Sequence, residues 1–245
     1  MLQPKKYLYI VNFVLLFVLL VMPILNQAVL AQSKEMMGMR AGGLFNQLTN
    51  LKLGGGGDAK LTGDLAQDAV VLAIAKGEPK IYGTELSVSF DRVQNSMDIM
   101  KQFDPTYGNK KIVLAGEELK RYVDVGLRIA CEYCCGAKAL VSKDGEAACG
   151  CAHSQAMRGL AAYLIKNHSQ EYSNDQILRE LARWKGSYFP KQMIKKVGEQ
   201  MQNGQFTPDV ASLLLDLKLP KYSASSQSAP LPSDIKDLPG MVGGC

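Results

Sequence analysis

Cys131-Glu132-Tyr133-Cys134-Cys135-Gly136 and, after a short loop, Cys149-Gly150-Cys151-Ala152-His153 decide how this chain is read. Five of its six cysteines fall in those two runs. Thiolates and imidazoles are the ligands that zinc, copper and iron–sulfur centres use. The C-x2-C spacing of Cys131 and Cys134 lets a tight turn aim two sulfurs at one point. Gly150 relieves crowding between Cys149 and Cys151, and one further residue reaches His153. A tetrahedral site needs four ligands. The first choice is Cys131, Cys134, Cys149 and Cys151, with His153 as a replacement or as a group behind the ligands. Cys135 is surplus in that set; it can replace Cys134 or help hold a second ion. Zn2+ is the plainest cofactor and Cu+ the alternative.

Two other readings use the same sulfurs. Six cysteines can also staple a domain with disulfides. The adjacent Cys134 and Cys135 are poorly placed to bridge each other, as are Cys149 and Cys151, so bridges between the two runs are the feasible ones. Cys131 to Cys149 or Cys151 are examples. Cys131-Glu132-Tyr133-Cys134 also has the two-residue gap of a dithiol couple, without the strand-to-helix surroundings of a thioredoxin-like site, and Glu132 would not stabilise a thiolate. His168, at a polar helix end, reads as a solvated residue within the sequon Asn167-His168-Ser169.

The 245 residues suffice for one folded domain plus extensions. At the amino end, Lys5 and Lys6 precede the apolar run Tyr7 to Met22, YLYIVNFVLLFVLLVM. A positive flank before such a run directs a chain to the membrane. It is expected to be a cleaved export signal, with Val29-Leu30-Ala31 before the cut, or an uncleaved transmembrane helix. Either fate puts the main domain outside the cytoplasm, membrane-anchored or secreted. The expected organisation is a signal peptide or anchor over 1–33, a juxtamembrane segment and glycine hinge over 34–60, a helical cysteine-cluster domain over 61–219, and a flexible tail over 220–245 ending in Cys245. Met36, Met37 and Met39 read as packing or interface residues rather than copper ligands.

Hydrophobic spacing predicts a mostly α fold, a small helical domain organised around the Cys/His knuckle, with an N-terminal hydrophobic helix. Leu65 through Ile74 reads as a buried helix ended by Gly77 and Pro79. Glu85 to Phe90 alternates with period two, so it is either a strand or an extended lead into the helix of Val93, Met97 and Met100. Pro105 to Asn109 is a turn. A helix from Glu117, with Leu119, Tyr122, Val123, Ile129 and Ala130 on its apolar face, delivers Cys131. Beyond the knuckle, Ala156 to Lys166 is helical. Ser173 and Gln176 form a capping box, Pro190 opens the stripe of Met193, Ile194, Val197 and Met201, and Pro208 starts a short last helix.

Ala148-Cys149-Gly150-Cys151-Ala152-His153, followed by a helical hairpin, resembles exported bacterial and archaeal proteins that carry a Cys-Tyr-Cys-Gly-Cys-type motif. The resemblance covers about residues 131–190 and implies metal binding through Cys149, Cys151 and His153. Glu146, Ala147 and Ala148 stand where that motif has proline, cysteine and tyrosine. The chain is also similar to the cytochrome c maturation proteins that reduce apocytochrome thiols, in which two short helices follow a dicysteine loop.

The expected function is that of an extracytoplasmic, membrane-associated metal-binding protein with a structural zinc or a copper-handling site. The alternatives are a dithiol–disulfide oxidoreductase and a disulfide-stapled interaction domain. Partners are a metal ion and a membrane or cell-surface protein. Nucleic acid is not expected, because the net charge of +5 is spread out and only seven Phe and one Trp are present. Neither an HExxH sequence nor a phosphate-cradling glycine loop is present, which argues against a standard enzyme.

Overall fold

A computed structural model describes residues 61–222 and 238–243. Eight α-helices lie in this region: α1 (Leu65–Ala73), α2 (Tyr82–Leu86), α3 (Val93–Met100), α4 (Glu117–Leu127), α5 (Ala152–Asn167), α6 (Asn174–Tyr188), α7 (Pro190–Asn203) and α8 (Pro208–Leu213). Among the described residues there is no sheet, and a single antiparallel bridge joins Val141 to Ala147. The domain is therefore mostly helical, as the spacing predicts.

Local chemistry sets most helix ends. Asp64 caps α1 by accepting from the backbone N–H groups of Ala66 and Gln67. Ser173 and Gln176 form the reciprocal capping box of α6. Proline occupies the first turn of α7 and α8, where its missing N–H costs nothing. α2 ends at Ser87, which takes a left-handed φ of 57°. Glu85 to Phe90 is consequently a helix end and a bend rather than a strand. Val88, Ser89 and Phe90 are all buried, so the period-two pattern does not correspond to alternating faces here. On α4, Tyr122 and Val125 are buried while Leu119 is 37% exposed, so the inward face is turned relative to the expected one.

Helix α5 runs through the centre and buries residues along nearly its whole length, from His153 to Ile165. It approaches the end of α3 closely at Gly159, where an added Cβ would lie 2.0 Å from the Met100 carbonyl oxygen. Beside Gly159, Arg158 is fully buried and pairs with the equally buried Asp104 at 2.6 Å and 3.0 Å through two of its nitrogens. Its remaining terminal nitrogen donates to the carbonyls of Cys149 at 2.8 Å and Leu140 at 3.4 Å. One side chain thus fastens both limbs of the loop between the two cysteine runs to the helical core.

The expected transmembrane helix requires correction: among the described residues, no helix is long and apolar enough to cross a membrane. The apolar run Tyr7 to Met22 on which it rested lies outside the described residues, as do the methionines at 36, 37 and 39, the glycine hinge and Cys245.

Removing one partner of a buried ion pair strands the other in a low-dielectric interior. Arg158→Met is expected to destabilise the domain by about 3–5 kcal/mol, read as a lowered urea midpoint. Adding Asp104→Asn to that variant should recover part of the loss.

Candidate functional site

The first cysteine run leaves α4 through Ile129 and Ala130, both buried. Glu132 then takes a left-handed φ of 38°, unusual for a residue with a side chain. Its carboxylate meets Lys185 at 3.2 Å and Lys196 at 3.1 Å, and both lysines also reach Asp209, at 2.8 Å and 2.9 Å. Lys185 is fully buried and lies over the ring of Tyr133, 5.2 Å from its centroid. Two elements beyond the knuckle, α6 through Lys185 and α7 through Lys196, therefore hold this turn through charge, with Asp209 of α8 balancing both lysines. Burial raises the Asp209 carboxyl, but Lys185 and Lys196 outweigh it and keep the group below its ordinary range.

The turn divides the sulfurs. Cys131 points inward and is fully buried, Cys134 is half-buried, and Cys135 faces solvent. From the second run, Cys149 and Cys151 are half-buried and His153 is fully buried. Cys135 and Cys149 are paired as a disulfide, their Cα atoms 6.9 Å apart. A bridge between the two runs was the feasible kind, and these are the sulfurs it uses.

The other donors converge. One ligand atom each from Cys131, Cys134, Cys151 and His153 all lie within 4.8 Å of one another. A second group, Cys135, Cys149 and Cys151, meets the same limit. Cys151 belongs to both. Thus His153 stands with Cys131 and Cys134, while Cys149, placed in the first-choice ligand set by spacing, is taken into the bridge with Cys135. The structure contains a Cys/His cluster compatible with metal binding, and a cysteine pair at disulfide distance beside it.

Cys151 is the N-cap of α5, and its sulfur accepts from the Ser154 backbone N–H at 3.4 Å. Its sulfur is 3.7 Å from that of Cys131. The hydrogen bond with the Cys131 thiol is the main reason the Cys151 pKa falls well below the ordinary thiol range. Burial opposes the shift, and contacts with His153 and Ser154 assist it. The same hydrogen bond, followed by burial, pushes Cys131 far up.

His153 is held from behind. Its Nε2 lies 2.9 Å from the Val242 carbonyl oxygen, and the Val242 N–H donates to the Tyr188 carbonyl at 2.8 Å. One of its ring nitrogens is among the four donor atoms that lie within 4.8 Å of one another. The ring also packs between Tyr188 and Phe189, with centroids 5.0 Å and 4.9 Å away. A backbone carbonyl on the far nitrogen is the common outer partner of a ligating or proton-sharing histidine. His168 is engaged elsewhere, 2.9 Å from Glu85.

Sequence reasoning missed the lysine and aspartate cluster around Glu132, because Lys185, Lys196 and Asp209 lie on three separate segments. It also missed Arg158, for which the polar side chain on an otherwise buried stripe was the available signal. No protein-family model, curated protein or solved structure matches this chain.

Two outcomes follow from the charges. Iodoacetamide should modify Cys151 well before Cys131 and keep its rate at about pH 6, where an ordinary thiol of pKa about 8.5 is almost wholly protonated. A steep fall in the Cys151 rate there would contradict the assignment. The depressed Asp209 carboxyl contributes stability that is complete above the unfolded value of about 3.9 and is lost as the pH drops through the folded one. Urea midpoints measured down to about pH 3 should show this acid-side loss in the native chain and a smaller one in Asp209→Asn.

Proposed function

We propose that this protein is a dithiol–disulfide exchange protein in which Cys135–Cys149 is the solvent-facing couple and Cys131 with Cys151 the inner couple. One observation carries the reading. The Cys151 sulfur, free and thiolate-like, lies within 4.8 Å of both sulfurs of the Cys135–Cys149 bridge and 3.7 Å from the Cys131 sulfur. A thiolate at that range from a disulfide is poised for exchange.

The chemistry balances without an outside group. A substrate thiolate attacks the exposed Cys135 sulfur, the bridge breaks, and Cys149 leaves as a thiolate. The second substrate thiolate then attacks the mixed disulfide and leaves as substrate disulfide, with two protein thiols remaining. Alternatively, the Cys151 thiolate attacks Cys135 and displaces Cys149 as a thiolate, which takes up the proton of Cys131; Cys131 then attacks Cys151 and releases Cys135. In that case the oxidation moves inward by one couple. The positive end of α5 at Cys151 stabilises the thiolate in either direction.

The substrate is a dithiol or disulfide in a partner protein, met outside the cytoplasm. Lys5, Lys6 and the apolar run after them support export, and a formed disulfide suits an oxidising compartment.

A second reading has its own support. The four donors Cys131, Cys134, Cys151 and His153 form a Cys3His set, the composition of many zinc sites. With the carbonyl of Val242 behind His153, the set fits Zn2+ in a structural role, with Cu+ handling as the thiolate-based alternative.

A synthetic peptide with two cysteines tests the main reading. The purified chain carrying the Cys135–Cys149 bridge should oxidise it at least about tenfold faster than buffer, and Cys135→Ser should abolish the gain. An unaccelerated rate with the native chain would sink the proposal.

A further inference from the structure

We infer that a thiophilic divalent cation of the zinc(II) type and the inner disulfide are mutually exclusive occupants of this site, so that metal loading sets which cysteine couple is oxidised. The inference rests on the inward exchange step proposed above and adds its control.

The geometry comes first. In a tetrahedral site with metal–sulfur bonds of about 2.3 Å, two sulfurs sit about 3.8 Å apart. Cys131 and Cys151 are already 3.7 Å apart. Cys134 and His153 complete the set within 4.8 Å, so only a small contraction is needed to close it on one ion. The ring of His153 is held by the Val242 carbonyl and by Tyr188 and Phe189 around it, so its place in the donor set is fixed without a search. Cys131 is buried and Cys151 half-buried, which limits competition from water.

The conflict follows from shared atoms. Cys131 and Cys151 supply two of the four ligands, and they are also the two sulfurs of the inner disulfide. A disulfide sulfur is not a thiolate donor, so forming the inner bridge removes half of the set. The electron balance is internal. The Cys135–Cys149 disulfide accepts two electrons and becomes two thiolates that take protons from water, the Cys131 and Cys151 thiolates lose two electrons and become a disulfide, and the ion leaves as M2+. Cys134 and His153 alone cannot retain it.

The converse is equally strict. A cation that binds only the form with the outer bridge stabilises that form by mass action. Zinc at about 100 times its Kd should shift the ratio of outer to inner disulfide by about a hundredfold. Metal therefore keeps the oxidising couple at the surface, and metal loss lets the oxidation retreat inward.

The test uses the whole chain, prepared anaerobically with one disulfide and the remaining thiols free. It is equilibrated with zinc chloride or with a chelator, the free thiols are trapped by alkylation in acid, and the bridge is located by peptide mass spectrometry. The expected result is Cys135–Cys149 with zinc and a rise of at least about tenfold in Cys131–Cys151 with chelator, with one zinc released per inner bridge formed, read by a chromophoric chelator. Cys134→Ser removes a ligand the exchange does not use. It should weaken zinc binding at least about tenfold yet leave the chelator-side distribution unchanged. Should that variant fail to fold, the native chain's disulfide map still decides. An identical map with and without zinc, or equal zinc affinity in chains carrying either bridge, overturns the inference. Absence of peptide oxidation alongside a zinc-dependent map would remove the exchange function and leave the switch standing. Peptide oxidation with a zinc-independent map would do the reverse.

Discussion

Everything at the cysteine cluster depends on a guanidinium that has no water to return to. Arg158 is fully buried, and its planar fork satisfies Asp104 with two nitrogens and two backbone carbonyls with the third. Arginine suits this role because its donors keep a fixed mutual geometry, whereas an ammonium would not specify direction. An ion pair so placed gains little net stability over a well-packed apolar pair. What it does supply is position. The carbonyls belong to Leu140 and Cys149, so the loop that carries the second cysteine run is tied at both ends to α5. Gly159 lets that helix sit against the end of α3, close enough for Arg158 to reach Asp104.

A second charged group does the same for the first run. Glu132 occupies a backbone region that costs side-chain-bearing residues on the order of 1–3 kcal/mol, and it persists where surroundings over-determine it. Lys185 and Lys196 provide that surrounding, and Asp209 balances their charge. Because Glu132 turns the chain between Cys131 and Cys134, this contact decides which sulfurs face inward. The outcome is a gradient across a few ångströms, from exposed Cys135 through half-buried Cys149 and Cys151 to buried Cys131. Metal chemistry and thiol exchange both draw on that gradient, which is why one cluster supports two readings.

Much of the helical frame was legible in the chain because it depends on neighbours in sequence. Ser173 with Gln176, Pro190 and the stripe from Met193 to Met201 mark their helices through local hydrogen bonding and spacing. The start of α5 was not legible. Its cap is the Cys151 sulfur, a group outside the usual oxygen-bearing caps, so the helix begins at Ala152 instead of Ala156. The bend at Ser87 shows the opposite failure, in which an alternating pattern is met by a bend followed by three consecutive buried residues, Val88 to Phe90. At the site, the spacing drew attention to five cysteines and His153 and put Cys134 ahead of Cys135 as a ligand, but it placed Cys149 in the ligand set and left Cys135 without a partner. The left-handed turn at Glu132, fixed by lysines far along the chain, is what separates Cys134 from Cys135.

The double membership of Cys151 also shapes how such a chain can drift. Loss of Cys134 leaves the exchange couples intact, and loss of Cys135 or Cys149 leaves the four-donor set intact, so those positions can be surrendered one at a time with one capacity retained. A codon change at Cys151 removes a metal ligand and the inner couple together and takes the cap of α5 with it, and Cys131 shares the first two of those duties. Among related genes, lineages that keep only metal binding or only the inward exchange should therefore differ at the outlying sulfurs and agree at these two.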